Sequence, residues 1–233
     1  MEKYTSSRPL RVCTLFSGYD SQCMALDRLG IPYDLVAWCE IDKYAIQAHD
    51  ALYPQYSERN LGDVSKVDWD AVPDFDFMTF SSPCQDFSQA GLQRGGQEGS
   101  GTRSSLLWEC KKAIIAKRPK YLFFENVKAL VSNKFIKTFQ EWLRELESYG
   151  YTNYSAVLNA KDYGIPQNRE RIFVISILED HTPYQFPAQM QLELKLKDML
   201  EENVEEKYYL SEKSIEGFIA HNENHESKGT GFK

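Results

Sequence analysis

The fold of this chain is decided by the stretch LRVCTLF at residues 10–16 and by the polar turn SGYDS that follows it at residues 17–21. The apolar run predicts a buried strand that the turn ends. A helix is predicted over residues 22–29, and a second strand over residues 33–39. About thirty residues is the length that a right-handed strand–helix–strand crossover requires, so the sequence predicts an α/β fold with parallel strands.

The same succession of apolar strands and helices continues to residue 177. Further helices are predicted over residues 42–52, 104–116 and 135–149, and further strands over residues 75–80, 121–124, 154–159 and 171–177. Beyond Leu178 the sequence becomes polar, with one short helix predicted around residues 192–200 and a loose tail from Asn222. We therefore predict one domain over residues 1–180 and a polar extension over residues 181–233.

Composition and charge limit the classes of protein to which the chain can belong. Its 233 residues, 42% of them hydrophobic, suit one folded domain with or without an appendage. A net charge of −7 excludes a global basic field, so any nucleic-acid contact must come from a local patch or from elsewhere. The five cysteines lack metal-binding spacing, and no segment resembles a signal peptide or a membrane span. These features predict a soluble cytoplasmic protein without a metal.

The turn after the first strand has features of a nucleotide-binding site. Gly18 lets a ligand approach backbone N–H groups at a helix N-terminus, and Glu40, about twenty residues on, can take a ribose hydroxyl pair. Asp20 stands where a second glycine is expected; it disfavours a diphosphate but tolerates the positive charge of S-adenosylmethionine. Asp20 or Ser21 also suits a helix cap, and Glu40 could be a surface charge. Asp63 could bind an exocyclic amine, although a turn aspartate is the simpler interpretation.

A cysteine follows the third predicted strand, in the stretch SSPCQDFS at residues 81–88. Pro83 ends the strand because its φ angle is fixed and it offers no N–H, which leaves Cys84 where α/β enzymes keep reactive groups. A partly buried structural thiol is the alternative. The Gly-rich residues 89–105 cannot pack a core, and they predict a mobile lid or binding loop, or else a disordered connection.

Charged side chains also follow two later strands. Glu125 comes after the strand at residues 121–124, in line with Cys84 if the two strands are parallel neighbours. A carboxylic acid at this position could protonate a ring nitrogen. Arg169 and Arg171 alternate as they enter the last strand, which would place both on one side of an extended segment. Both arginines could instead be surface charges.

Six motifs therefore occur in a definite order along the chain. They are Phe16-Ser17-Gly18, Glu40, Gly62-Asp63, Pro83-Cys84-Gln85, Glu125-Asn126-Val127 and Gln167-Asn168-Arg169-Glu170-Arg171. Together, over residues 10–177, they resemble the DNA (cytosine-5)-methyltransferase family, although each motif alone is weak. The resemblance implies a Rossmann-like S-adenosylmethionine-dependent methyltransferase fold, with a mostly parallel sheet, one antiparallel strand and helices on both faces.

The resemblance implies a reaction in which a cytosine of double-stranded DNA is activated covalently. Cys84 would add to C6 and make C5 nucleophilic toward the methyl group of S-adenosylmethionine. Glu125 would hold or protonate N3, Arg169 would contact the base, and Arg171 would order the site. The base must leave the duplex to reach the pocket, and the loop after Cys84 would close over it.

The same resemblance implies which further residues contact the cofactor and the DNA. The predicted cofactor site consists of Phe16, Ser17, Gly18, Tyr19, Asp20, Glu40, Ile41, Asp63, Val64, Pro83 and Leu107. The predicted substrate-loop residues are Gln85, Ser88, Arg94, Arg103, Asn126 and Gln167, of which the two arginines could meet phosphates.

Two departures from the family pattern leave the function open. Asp20 replaces a glycine, and nothing in residues 181–233 matches the target-recognition domain and the two further motifs that usually follow. We therefore expect a fragment, or one subunit of a split prokaryotic or phage enzyme, with a second polypeptide or missing C-terminal segment that reads the DNA. The alternatives are a tRNA cytosine-5 methyltransferase and a non-catalytic cofactor-binding module; Cys84, Glu125 and Arg169 argue against the module.

Overall fold

The chain forms two compact units, Met1–Leu192 and Glu193–Lys233. The computed structural model describes residues 4–82 and 106–229, so Cys84 and the whole of the predicted lid at residues 89–105 lie outside the described residues. The strands of the first unit are β1 (Leu10–Leu15), β2 (Tyr33–Cys39), β3 (Phe77–Phe80), β4 (Tyr121–Val127), β5 (Tyr151–Asn159) and β6 (Glu170–Leu178). Its helices are α1 (Ser21–Arg28), α2 (Lys43–Leu52), α3 (Leu106–Lys117) and α4 (Ile136–Ser148).

The strands form one six-stranded sheet in the order β2-β1-β3-β4-β6-β5. β1 is parallel to β2 and β3, and β3 is parallel to β4. β6 is antiparallel to both of its neighbours, β4 and β5. The prediction of a mostly parallel sheet with one reversed strand is therefore confirmed.

Two hydrophobic cores lie on opposite faces of this sheet, because successive side chains of a strand point to opposite sides. Leu15 of β1 belongs to a core that includes buried residues of α3 and α4. Val12 packs instead with Cys23 and Leu26 of α1. Helices thus cover both faces, as predicted. None of the helices in the described residues combines the length and the apolar character needed to cross a membrane.

The register of the parallel strands brings three segments to one edge of the sheet. Leu15 lies opposite Phe80 of β3, and Phe80 lies opposite Phe124 of β4. The turn after β1, the residues after β3 and the second half of β4 therefore meet at the carboxyl ends of the strands. In open α/β sheets this edge is where ligands bind.

β4 is longer than predicted, and this changes the position of Glu125. The strand pairs with β6 from Tyr121 through Val127, so Glu125 lies inside the strand rather than after it. The reason is the antiparallel partner, whose backbone continues the hydrogen-bond ladder past Phe124. A local apolar pattern does not contain this information.

In the second unit, the predicted loose tail from Asn222 is wrong. Helix α5 spans Glu212–Ser227, and Ser211 caps it by accepting the Ser214 N–H at 3.3 Å. Asn222 supports the helix through a 2.9 Å hydrogen bond from its Nδ2 to Glu226 Oε1, one turn further on. The short helix predicted around residues 192–200 is limited to a 3₁₀ turn at Leu196–Met199. The role of residues 181–233 as an extension stays a prediction.

Candidate active site

The turn between β1 and α1 has an unusual backbone conformation. Phe16, Gly18 and Asp20 have positive φ angles of 55°, 58° and 66°. Glycine adopts this region freely, whereas the other two residues need contacts that hold them there. The Gly18 N–H donates to Glu40 Oε2 at 3.0 Å, and the Asp20 N–H donates to the Ser17 carbonyl oxygen at 2.9 Å. One hydrogen bond thus lies within the turn, and another joins the turn to Glu40, which follows β2.

The carboxyl group of Asp20 faces the protein interior. Asp20 is fully buried; its Oδ2 accepts a hydrogen bond from Thr14 Oγ1 at 2.8 Å, and its Oδ1 accepts one from the Cys23 N–H at 3.4 Å. Asp20 is thus the N-cap of α1, in agreement with the helix-cap alternative. A contact between Asp20 and a cofactor stays a prediction.

Glu40 joins the turn to the start of α2. Its Oε1 accepts hydrogen bonds from the N–H groups of Ile41 and Asp42 at 2.8 and 2.9 Å, while its Oε2 accepts the one from Gly18. Asn60 fixes the Glu40 backbone, because its Oδ1 accepts the Glu40 N–H at 3.2 Å and its Nδ2 donates to the Glu40 carbonyl oxygen at 3.1 Å. Sequence analysis missed Asn60, which stands in a polar stretch without periodicity.

Asp63 caps a short turn next to this site. The N–H and the hydroxyl of Ser65 donate to Asp63 Oδ1 at 3.0 and 2.7 Å. The hydrogen bond from the Ser65 hydroxyl is the main cause that lowers the pKa of Asp63 below its ordinary value. Asn60 Oδ1 also accepts the Gly62 N–H at 2.9 Å, which links this segment to Glu40. The turn-aspartate interpretation therefore describes the observed contacts, and a contact with an exocyclic amine stays a prediction.

A cavity of about 580 Å³ lies at the edge of the sheet beside the turn, within the size range of small-molecule sites. Its lining includes the predicted site residues Phe16, Ser17, Tyr19, Glu125, Arg169 and Arg171, together with Ser81, Phe123, Asn159, Tyr163 and Phe173. The structure thus brings three predicted cofactor residues together with three of the four predicted catalytic residues. The fourth, Cys84, lies outside the described residues and follows Ser81 by three positions in the sequence.

Glu125 and Arg171 form an ion pair in the wall of this cavity. Arg171 Nε lies 2.9 Å from Glu125 Oε1, and the two side chains are only 22% and 23% exposed. The strand register explains the contact: Glu125 lies opposite Phe173 and Val127 opposite Arg171, so the two charged residues are diagonal neighbours on one face. Limited exposure reduces screening by solvent, so the pair can orient the carboxyl group toward a ligand.

Arg169 reaches the same cavity from the loop before β6. Asn159 closes this loop, because its Oδ1 accepts the Arg169 N–H at 3.0 Å and its Nδ2 donates to Asn168 Oδ1 at 2.7 Å. The Ala160 N–H donates to the Arg169 carbonyl oxygen at 3.0 Å. Arg169 and Arg171 therefore line one cavity, as their alternation in the sequence predicts. The sequence contained no signal that Asn159 closes this loop, apart from the general preference of asparagine for turns.

The remaining predicted site residues do not line this cavity or are not described. Asn126 is buried on the other face of β4, where its Nδ2 donates to the Ser82 carbonyl oxygen at 3.2 Å. Val64 and Leu107 are buried, whereas Ile41 and Gln167 are exposed. Pro83, Gln85, Ser88, Arg94 and Arg103 lie outside the described residues. The assignment of these residues to cofactor or DNA contacts stays a prediction.

The fold is similar to that of solved methyltransferase structures. The S. pombe Dnmt2 methyltransferase has a similar structure, with a TM-score of 0.70 and 23% identity, over 92% of this chain and 66% of that one. The Entamoeba histolytica methyltransferase EhMeth is similar with a TM-score of 0.71 and 21% identity, over 89% of this chain and 64% of that one. At these identities the likeness concerns the fold alone.

The sequence then identifies the family. The family model of the C-5 cytosine-specific DNA methylases matches residues 10–233, and the chain belongs to this family. Type II methyltransferase M2.ScrFI of Lactococcus lactis subsp. cremoris is 40% identical, over 88% of this chain and 71% of that protein. Orphan methyltransferase M.SPRI of Bacillus phage SPR is 35% identical, over 90% of this chain and 54% of that protein. The chain thus spans between about half and three quarters of the length of these relatives.

The family match corrects the extent of the resemblance predicted from the motifs. Sequence analysis limited it to residues 10–177, whereas the match continues to residue 233. Motifs identify residues that carry chemistry, and the polar segment has none of the six. Its membership is visible only in the overall pattern of residues, which a search for reactive side chains does not measure.

Proposed function

We propose that this chain is the catalytic part of a DNA cytosine-5 methyltransferase, which transfers a methyl group from S-adenosylmethionine to C5 of cytosine. The observation that carries the proposal is the single cavity in which the turn after β1 meets Glu125, Arg169 and Arg171. Cys84 follows the cavity residue Ser81 by three positions. The family and the DNA methyltransferases among its relatives support cytosine in DNA as the acceptor.

The residues of the turn fit S-adenosylmethionine as the methyl donor. Ser17 Oγ, in the cavity wall, is a buried polar atom without a hydrogen-bond partner in the described part of the chain, so a bound ligand can supply one. Phe16 offers an apolar surface beside it, and the Glu40 carboxylate lies at the end of β2, where a ribose would be held. When bound, S-adenosylmethionine supplies an electrophilic methyl group on its sulfonium.

The other side of the cavity would hold and activate the base. The Cys84 thiolate adds to C6, which shifts electron density to C5; C5 then accepts the methyl group, loses its proton to a base, and the C6–sulfur bond breaks. Glu125 contacts N3 and stabilises the adduct, Arg169 contacts the base, and Arg171 holds the Glu125 carboxyl group through the 2.9 Å ion pair. The cytosine reaches this cavity after it has left the duplex.

Trapping the covalent adduct tests this proposal. A cytosine with fluorine at C5 cannot lose a proton from that carbon, so the Cys84–C6 bond should persist after methyl transfer. We expect mass spectrometry to show one oligonucleotide linked to the chain at Cys84 in the presence of S-adenosylmethionine. Cys84→Ser is the matched control: it should bind S-adenosylhomocysteine normally and form no adduct, because the thiolate acts on the base and not on the cofactor.

The outcomes separate the competing functions. An adduct on another residue, or methyl transfer retained by Cys84→Ser, would contradict the covalent mechanism. If the chain forms no adduct even with a polypeptide that supplies target recognition, a non-catalytic cofactor-binding module is favoured. A comparison of duplex DNA with tRNA as methyl acceptor separates the DNA enzyme from a tRNA cytosine-5 methyltransferase.

We further propose that recognition of the target sequence resides in a second polypeptide or a further segment. The net charge of −7 leaves little attraction for phosphates, which normally position a protein on DNA. The relatives extend beyond the region that this chain matches. The complement from such a relative, added to this chain, should restore sequence-specific methylation.

A further inference from the structure

A buried histidine lies beneath the turn between β1 and α1. His49 of α2 is fully buried, and its ring stacks on Trp38 of β2 with 3.7 Å between ring centroids and 19° between planes. Its Nε2 lies 3.7 Å from Asp20 Oδ2, and its Nδ1 lies 3.7 Å from Asp50 Oδ1. Within the described residues, neither ring nitrogen has a hydrogen-bond partner. Buried polar atoms are normally paired, so these two nitrogens call for an explanation.

The group that His49 faces is the one that sets the conformation of the turn. Asp20 has a φ angle of 66°, which is unfavourable for a residue with a side chain. The carboxyl group of Asp20 is held by hydrogen bonds from Thr14 and Cys23, and its backbone N–H donates to the Ser17 carbonyl oxygen. Closing the 3.7 Å gap to a hydrogen bond of about 3 Å requires a movement of less than about 1 Å.

Packing alone does not account for a histidine at this position. A phenylalanine ring has a similar size and would stack on Trp38 equally well. What distinguishes histidine is its two ring nitrogens, of which Nε2 lies 3.7 Å from Asp20 Oδ2 and Nδ1 lies 3.7 Å from Asp50 Oδ1 on its own helix. His49 does not line the cavity, so any effect on a ligand must be indirect, and Asp20 is the residue of the turn that lies next to a His49 ring nitrogen.

We propose that His49 is a positioning residue for the cofactor site: its Nε2–H donates to Asp20 Oδ2 and so holds the turn in the conformation that presents Phe16, Ser17 and Gly18 to S-adenosylmethionine. The inference rests on the proposed function, since it concerns the same cofactor site. It also explains how aspartate can stand at a position where the family pattern has glycine. Glycine adopts the positive φ angle without strain, whereas Asp20 is held in it by the buried partners of its side chain.

A double-mutant cycle on cofactor affinity tests the proposal. Calorimetry with S-adenosylhomocysteine should show that His49→Phe, which keeps the stacked ring, binds about tenfold more weakly, equivalent to about 1.4 kcal/mol. His49→Gln places an amide N–H near the position of Nε2, and it should stay within about threefold of the unmodified chain. In an Asp20→Gly background, where the turn no longer needs an anchored side chain, His49→Phe should cause no further loss.

A purely structural role for His49 predicts a different result. If the ring only fills the core, His49→Phe should leave the affinity for S-adenosylhomocysteine nearly unchanged, or should lower it by the same factor in both backgrounds. Either outcome would overturn the proposal. Weak binding by His49→Gln comparable to that of His49→Phe would also contradict it, because the donor would then be irrelevant. Absence of S-adenosylhomocysteine binding by the unmodified chain would instead refute the proposed function, and this inference with it.

If His49→Phe does not fold, a measurement on the unmodified chain can still test whether His49 Nε2 donates to Asp20. ¹⁵N-resolved NMR of the histidine side chains reports which ring nitrogen carries a proton. We expect a proton on Nε2 of His49, whether the ring is neutral or charged, and a smaller exchange rate of that proton when S-adenosylhomocysteine binds. A neutral ring protonated on Nδ1 alone would place a lone pair against Asp20 and would exclude the proposed hydrogen bond.

Discussion

Replacing Glu40 with alanine removes the acceptor of three backbone N–H groups at once. Ile41 and Asp42 are exposed, so water can replace Glu40 as the acceptor of their N–H groups, and losing these two hydrogen bonds costs little. Gly18 is partly buried in the turn, so the loss of its hydrogen bond dominates. A hydrogen bond to a charged group contributes about 1.5–3 kcal/mol, and we therefore expect the free energy of unfolding to fall by about 2 kcal/mol. For a chain of this size, this corresponds to a decrease in Tm of about 4–8 °C.

The same substitution should weaken cofactor binding, because it frees the turn and removes the predicted ribose acceptor. We expect S-adenosylhomocysteine affinity to fall by about 10- to 100-fold, or about 1.4–2.8 kcal/mol, measured by calorimetry well below the melting temperature. Urea unfolding followed by circular dichroism gives the stability change. Glu58→Ala is the matched control: it removes one exposed carboxylate nearby, with no hydrogen bond in the described structure, and should change neither quantity.

One pair of results would exclude both roles of Glu40. If Glu40→Ala unfolds at the urea concentration of the unmodified chain and binds S-adenosylhomocysteine within about twofold of it, Glu40 neither holds the turn nor contacts the cofactor. A loss of stability with normal affinity would keep the structural role of Glu40 and exclude it from the ribose site.

Glu125→Gln should lower turnover by about 100-fold or more while cofactor affinity stays near normal, because this group acts on the base; unchanged kcat would remove Glu125 from the chemistry. Arg171→Ala should lower turnover by about tenfold through loss of the Glu125 ion pair, and it should have no further effect in Glu125→Gln; additive losses would show an independent role. The isolated chain should incorporate little tritiated methyl into mixed-sequence duplex at physiological salt, since its charge is −7; robust sequence-specific incorporation would show that residues 181–233 supply recognition.

The type and order of most elements could be predicted because they depend on local patterns. Apolar runs such as residues 10–15 and 33–39 are buried on both faces of the sheet, and they are strands in the structure over nearly the predicted residues. Helix α4 likewise differs by one residue at each end from its prediction. Helix α5 was missed: Ile215, Phe218 and Ile219 have helical spacing, but they are exposed and most of the other residues of the helix are polar.

The candidate site could be predicted as a set of residues but not as a geometry. Glu125, Arg169 and Arg171 were chosen from the sequence, and they line one cavity because β6 runs antiparallel to β4. That pairing joins residues almost fifty positions apart, and it depends on which strands become neighbours. Asn60 and Asn159, which hold Glu40 and Arg169 in place, were missed because a side chain that bonds to backbone has no periodic signature.

What the sequence by itself determined is the alternation of strands and helices, the family, and the residue types available for chemistry, because each depends on local spacing and composition. What only the tertiary structure decided is the direction of individual side chains. Asp20 shows the difference: from the sequence it was either a group facing the cofactor or a helix cap. The structure buries its carboxyl group, which accepts hydrogen bonds from Thr14 on β1 and from the Cys23 N–H on α1 and lies 3.7 Å from His49 on α2. Three separate elements must pack together before these groups converge, and no local pattern contains that convergence.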